Sequence, residues 1–246
     1  HQNMVTLSPD SSGDSLPRRG YRLHTNVAPL NEVLAAGIIA LSGWDKKSTF
    51  IDPMAGSGTF LIEAALMAQN TAPGTSRRHP YGLESWKDYN AELFEMVWKT
   101  AEAKEKREPQ AQIIGYDIDP DYVMAARKNI ENAGLEHIIK VEMADFFETK
   151  AATEEGVLIM NPPYNERIQS DDIHALYKQI GDTLKNNYQG FDAFVFTGNL
   201  DAAKSIGLKA SRRTPLYNGA IDCRLLKYEL YRGSRRGEGK EEVQQD

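Results

Sequence analysis

The chain predicts an α/β fold: a seven-stranded, mostly parallel sheet with helices on both faces, closed by a C-terminal antiparallel hairpin. Three observations carry this. Short apolar runs alternate with helical patterns, which gives parallel strands joined by crossover helices. The first strand is followed by a glycine-rich loop and then a helix, and the strand-to-helix alternation repeats. The last part of the chain switches to a period-two pattern around a glycine turn, as a hairpin does. At 246 residues, with 41% apolar and 26% charged side chains, one domain of this kind with appendages is the expected organisation.

The elements follow in order. Leu30, Val33, Leu34, Ile38 and Leu41 have helical spacing, with Pro29 placed for a first turn. "STFID" is a short strand, "PMAGSG" a loop and "TFLIEAALMAQN" a helix rich in good helix formers. "AQIIGYDID" is a second strand, "DYVMAARKNIENAG" a helix ended by Gly134, and "IIKVEMADF" a third strand. "VLIM" is a fourth, cut short by Pro162-Pro163, because proline offers no ladder donor and restrains its predecessor. After the helix "DIHALYKQIGDTLKNNY" comes a fifth strand, "FDAFVFTG", and "SRRTPLYNG" with "CRLLKYELYRG" forms the hairpin. Residues 70–110 interrupt the rhythm as a helical insertion through "AELFEMVWKTAEAKEK". Residues 1–27 read as a strand and turn entering from a further domain, 28–232 as the main domain, and 233–246, without apolar periodicity, as a disordered tail.

Composition removes several classes of function. There is no long apolar run of membrane-spanning length, and Cys223 is the only cysteine, which disfavours a disulfide framework or cysteine-based zinc site and fits a reducing cytosolic setting. The net charge of −6 argues against coating nucleic acid through overall attraction. The clusters Arg18-Arg19 with Arg22, Arg77-Arg78 and Arg212-Arg213 read as solvated surface.

Chemistry concentrates at the carboxyl ends of the strands, where open α/β sheets bind ligands. In "IDPMAGSGTF", Gly56 and Gly58 let backbone approach a ligand at a helix N-terminus. A dinucleotide fingerprint would need glycine where Leu61 stands, and a phosphate loop would need Gly-Lys-Ser/Thr, which is absent. Asp117 at the second strand's end suits the paired hydroxyls of a ribose. Asp119 suits a helix cap ahead of Pro120. Asp145 fits either a cap or an acceptor for an adenine amine, with Phe146 packed near that ring.

Asn161-Pro162-Pro163-Tyr164 extends the same edge. A nucleobase exocyclic amine is a weak nucleophile because its lone pair is delocalised into the ring. Acceptors aimed at its protons favour tetrahedral nitrogen and expose that pair. The Asn161 Oδ1 and the Pro162 carbonyl, held by the proline pair, suit this preorganised role. Tyr164 suits stacking on the base, worth about 1–3 kcal/mol, which offsets much of the few kcal/mol needed to extrude it.

Together these segments resemble the Rossmann-like class I S-adenosylmethionine (SAM)-dependent amino-group methyltransferases, with motif I Asp-Pro-x-x-Gly-Ser-Gly-Thr and motif IV Asn-Pro-Pro-Tyr. More narrowly the chain resembles the RlmL-type family of THUMP-containing 23S ribosomal RNA guanine-N2 methyltransferases. This rests on "SSGDSLPRRGYR", "APLNEVLAAGII", "DPMAGSGTFLIEAA", "APG", "NPPYNERI" and "NGAIDC". The resemblance implies a SAM site of Asp52, Pro53, Ala55, Gly56, Gly58, Thr59, Asp117, Ile118, Asp145, Phe146 and Asn161. It implies that Asn161, Pro162 and Tyr164 act on a guanine, with Pro163, Tyr164 and Arg167 on the substrate side. It further implies RNA as partner, an N-terminal THUMP domain, no metal and no membrane. Two departures stand out: Asn165 follows the motif IV tyrosine where the family often has glycine, and Pro17 stands where it commonly has a polar residue. Adenine-N6 or protein-glutamine transfer, and a SAM- and RNA-binding module without turnover, are the alternatives. A pyrimidine-C5 mechanism is disfavoured because no cysteine accompanies motif IV.

Overall fold

The computed structural model describes residues 5–16, 19–23, 30–75, 80–163 and 170–232. Seven strands form one sheet: β1 (Thr49–Asp52), β2 (Ile113–Asp117), β3 (Ile139–Met143), β4 (Gly156–Met160), β5 (Phe191–Thr197), β6 (Arg212–Asn218) and β7 (Ile221–Glu229), in the order β3-β2-β1-β4-β5-β7-β6. The first five run parallel, and β7 pairs antiparallel with both β5 and β6. The chain runs outward from β1 to β2 and β3, then returns to lay β4 against the other side of β1. The crevice between β1 and β4 is therefore the switch point where an open sheet binds its ligand.

Helices α1 (Glu32–Ser42), α2 (Thr59–Ala68), α4 (Pro120–Asn132) and α5 (Ser170–Asn187) enclose the sheet, and α3 (Ala91–Glu102) lies in the 70–110 segment. One apolar cluster joins α1, α2 and α4 to the sheet; a second packs Ile173, Tyr177, Ile180 and Leu184 of α5 onto Leu158, Met160, Ala193 and Val195 of the opposite face. The central strands are buried on both sides, which explains why "VLIM" and "DAFVF" read as apolar runs without alternation. Leu61, the residue that rules out a dinucleotide fingerprint, fills space that Gly115 leaves open: a Cβ on Gly115 would lie 2.3 Å from Leu61 Cδ1.

Three expectations need correction. Helix α1 begins after Asn31, whose side chain accepts the Val33 and Leu34 amides, so Leu30 precedes the helix rather than opening it. Its buried face is Ala35, Ile38 and Ile39, whereas Val33 and Leu41 are exposed. Residues 5–16 and 19–23 form no strand. The segment instead hydrogen-bonds its Ser11 carbonyl to the Leu83 amide, 3.1 Å away. The helix expected in "AELFEMVWKTAEAKEK" stops at Glu102, and none of its residues is buried. It rests on a local aromatic group of Tyr81, Phe94 and Trp98. Pro17, Pro29, Arg77, Arg78 and the tail lie outside the described residues.

Candidate active site

Strand β1 delivers Asp52 to the crevice, and the loop beyond it is pinned to the end of β2. The Ala55 amide donates to the Tyr116 carbonyl at 2.8 Å, and the Gly56 amide donates to Asp117 Oδ2 at 2.7 Å. Both loop glycines are left-handed, Gly56 at φ 53° and Gly58 at φ 84°. At Gly58 a Cβ would come within 3.2 Å of the Ala126 Cβ on α4, so the loop must stay bare to sit against that helix. At Gly56 nothing lies within 4 Å of a Cβ position, which leaves open space beside the backbone. Helix α2 starts from Gly58 with no side-chain cap, so its positive end is offered to the crevice. Pro53, Ala55 and Thr59 are buried supports of this loop rather than open surface.

Two carboxylates flank the loop. Burial lifts the Asp52 carboxyl to about 8; the neighbouring Asp117 adds to this, and the Met54 amide pulls the other way. Burial also raises Asp117, against the pull of backbone amides. Its Oδ1 accepts the Asp119 amide at 3.0 Å and its Oδ2 the Gly56 amide. Each carboxylate oxygen has a second lone pair, so Asp117 remains able to accept two hydroxyls. Ile118 beside it is 66% exposed, an apolar surface at the crevice.

Asp119 caps α4, accepting the Asp121 amide at 2.8 Å. Asp145 accepts the Phe147 amide at 2.9 Å and so fills the capping role with Oδ1. Phe146 is 3% exposed and packs against Phe147 and Tyr188, so its ring is part of the core beneath the crevice edge.

At the end of β4, Asn161 is half-buried, Pro162 buried and Pro163 exposed. Among the described residues the Asn161 Oδ1 is a solvent-shielded acceptor with no donor. Such an atom costs roughly 1–3 kcal/mol and calls for a reason. Tyr164, Asn165 and Arg167 lie outside the described residues.

The structure also shows supports that the sequence reading missed. Arg19 and Arg22, read as solvated surface, are turned inward. Arg19 Nε lies 2.8 Å from Glu63 Oε1 on α2, and the Tyr21 hydroxyl donates to the same oxygen at 2.9 Å. Arg22 donates to Thr59 Oγ1 at 2.9 Å and to the Leu30 carbonyl at 2.7 Å, with Glu32 3.5 Å from its Nε. Buried Asn129 of α4 accepts the Leu23 amide and donates to the Ser57 carbonyl, tying residues 19–23 to the glycine loop. The one available signal was "EAA" inside an otherwise apolar helix: a glutamate there needs a cation. Arg212 and Arg213 are exposed, as expected.

This topology, with a glycine loop and acidic strand ends at the switch point, defines a Rossmann-like methyltransferase domain. Residues 19–227 match the family described as UPF0020, RMKL-like, methyltransferase domain, and the chain belongs to that family. It is 43% identical over 232 residues to a protein of Synechocystis sp. described as a candidate RNA methyltransferase, covering 94% of this chain and 60% of that one. It is 40% identical over 242 residues to the ribosomal RNA large subunit methyltransferase K/L of Syntrophotalea carbinolica, covering 93% of this chain and 34% of that protein. The chain thus spans less than two thirds of the curated relatives it matches. Among solved structures, SMU.472, a candidate methyltransferase crystallised with S-adenosylhomocysteine, aligns at TM-score 0.84 and 35% identity, over 92% of this chain and 58% of that one. No described helix is long and apolar enough to cross a membrane.

Proposed function

We propose that the chain transfers a methyl group from SAM to the exocyclic N2 amine of a guanine in 23S ribosomal RNA, as free RNA or within a ribosomal precursor. The crevice fits the cofactor: open space beside Gly56, the uncapped start of α2 and the Asp117 carboxylate lie at one strand edge. SAM would supply an electrophilic methyl group on a sulfonium. The protein's part is to hold it and to present the nucleophile. Gly56, Gly58 and the amides that open α2 take the amino-acid end. Asp117 takes the ribose, Ile118 covers one face of the adenine, and the second oxygen of Asp145 takes its amine. Asp52, Pro53, Ala55 and Thr59 keep the loop in shape.

The observation that carries the reading is the orphaned Asn161 Oδ1 beside this crevice. An incoming amine is the donor it lacks. The amide meets that amine by turning about χ2, a broad and soft torsion. With the Pro162 carbonyl it would accept the two N2 protons and so free the nitrogen lone pair for the methyl group that bound SAM would supply, one of those protons then passing to solvent. Tyr164 and Arg167 enter as the stacking and substrate-side residues on the strength of the sequence motif. The names of the K/L relatives support ribosomal RNA as substrate and hence a cytosolic setting. Their greater length fits an additional RNA-delivering domain, of the THUMP kind.

Tritiated SAM offered to ribosomal RNA lacking modifications tests this, with nucleoside analysis of the product. N2-methylguanosine is the expected result. N6-methyladenosine, label in protein, or tight SAM binding without any transfer would each overturn it in favour of adenine, glutamine or a binding module.

A further inference from the structure

The end of β5 holds a second side-chain amide whose orientation is fixed. Strand β5 lies beside β4, on the side away from β1, and pairs Met160 with Val195, so the two strand ends are neighbours. Thr197 closes β5 fully buried, and its hydroxyl is 2.6 Å from that of Tyr177, also fully buried, on α5. The same Thr197 Oγ1 accepts the Asn199 amide at 3.0 Å, which bends the chain back toward the strand end. The Asn199 Oδ1 accepts the Ala202 amide at 2.9 Å. A backbone N–H can only donate, so this bond settles which end of the side-chain amide is oxygen. What remains is the Asn199 NH2 group, on a partly exposed residue and without an acceptor among the described residues.

A fixed donor one strand away from an orphaned acceptor is a complementary pair. Adjacent strands are separated by roughly 4.7–4.9 Å, which matches the span across one purine ring from the 2-amine to the 6-position. Guanine presents a donor at the 2-amine and an acceptor at O6. Adenine presents an amine at its 6-position and no amine at the 2-position. We infer that Asn199 is a specificity-determining residue that donates to guanine O6 while Asn161 accepts from the 2-amine, and that Thr197 and Tyr177 hold Asn199 in place. This rests on the guanine-N2 reading and adds the group that selects the base. The chemistry is discriminating because a purine with a 6-amine would set donor against donor, and one with hydrogen there would leave the Asn199 donor unpaired.

The test uses the full chain and the shortest ribosomal RNA fragment that it methylates, synthesised with guanosine, 2-aminopurine riboside or 2,6-diaminopurine riboside at the accepting position. All three keep the 2-amine, and both analogues change N1 alike for every protein compared. Wild type should lose roughly 10- to 100-fold in kcat/KM on either analogue, the discrimination expected of one good base contact. Asn199→Asp keeps the bond to the Ala202 amide but replaces the donor with an acceptor. It should shrink the preference for guanosine over 2,6-diaminopurine riboside by a comparable factor, with SAM affinity unchanged. Asn199→Ala should shrink the difference between guanosine and 2-aminopurine riboside to what the N1 change alone contributes. If wild type and both variants rank the three substrates alike, the assignment to Asn199 is wrong while the guanine-N2 reading stands. If wild type methylates no guanosine in RNA, the parent reading falls and takes this one with it.

Discussion

Replacing Asn161 by alanine separates a catalytic acceptor from a structural one, because the two predict opposite signs for stability. In this structure the Asn161 Oδ1 is shielded from solvent and takes no hydrogen bond from the described residues. A buried unsatisfied acceptor carries a penalty of roughly 1–3 kcal/mol. Asn161→Ala removes that penalty and loses a little packing, so the net effect runs from neutral to stabilising. At about 2–4 °C per kcal/mol for a chain of this size, the thermal midpoint should stay put or rise by several degrees. Turnover should fall about 10²–10³-fold, the loss expected when one preorganised polar contact to the reacting group is deleted, equivalent to roughly 2.7–4 kcal/mol of barrier. The dissociation constant for S-adenosylhomocysteine should be nearly unchanged. Differential scanning fluorimetry, single-turnover methyl transfer and calorimetric titration on one preparation give all three values. A midpoint that drops by several degrees while transfer survives would show that the amide is a packing element. Parallel loss of cofactor affinity would assign it to the cofactor instead.

Other perturbations test the frame around it. Gly58→Ala must hold alanine at φ 84° with its Cβ 3.2 Å from the Ala126 Cβ, whereas Gly134→Ala meets strain at φ 71° but open space; both should lower the midpoint, Gly58→Ala more, and only Gly58→Ala should weaken S-adenosylhomocysteine binding. The Asp52 carboxyl, lifted by burial from 3.8 to about 8, keeps its proton in the fold after the unfolded chain has released it, so this group makes stability fall as pH rises from about 4 to 8. Asp52→Asn should flatten that part of a midpoint-versus-pH curve and raise the midpoint at pH 8; an unchanged slope would show that Asp52 is ionised in the fold at neutral pH. Arg19→Met strands the Glu63 carboxylate in a buried site and should cost about 3–5 kcal/mol by denaturant unfolding, while Arg19→Met with Glu63→Met should recover most of it. Equal losses in the single and double variants would show that packing, not charge, is what Arg19 supplies.

Much of the fold was legible because its signals are local. "STFID" followed by a glycine loop and "TFLIEAALMAQN" specifies strand, turn and helix within about twenty residues, and the structure has β1 and α2 there. The hairpin was legible from alternation, with Gly219 at φ 61° in its turn. What failed to show depends on partners distant in sequence. Val33 and Leu41 obey helical spacing, yet the buried face is that of Ala35, Ile38 and Ile39, a choice made by what packs on the helix and not by the period. Phe146 beside a crevice aspartate reads as a ligand contact, and its packing against Tyr188 and Phe147 was not visible in the sequence. At the site, the glycines and the acidic strand ends were visible as residue types at βα junctions. Asn199, inferred above, was not, because its placement comes from a bond of its backbone to Thr197 and one of its side chain from the Ala202 amide, and no spacing rule encodes those.

The buried charges bear on where this domain begins as a physical object. The family match starts at residue 19, and Arg19 is the first of the described residues whose side chain the fold encloses, at 6% exposure against Glu63. Within four residues Tyr21 and Arg22 add bonds to Glu63, Thr59 and the Leu30 carbonyl, and Asn132 donates to the Gly20 and Tyr21 carbonyls. A segment with no regular structure is thus held by side chains from two helices, both of which also wall the glycine loop. Its arginines read as surface because a charged pair in a polar stretch is usually solvated. Glu63, buried in a helix of Thr, Phe, Leu, Ile, Ala and Met, inverts that reading: its carboxyl is lifted by burial to about 7 against the pull of Arg19, so removing the cation would leave the helix holding a costly group beneath the glycine loop. The segment preceding the sheet is therefore part of the site's foundation, and a domain cut after residue 23 would lose the support of the glycine loop along with the strap itself.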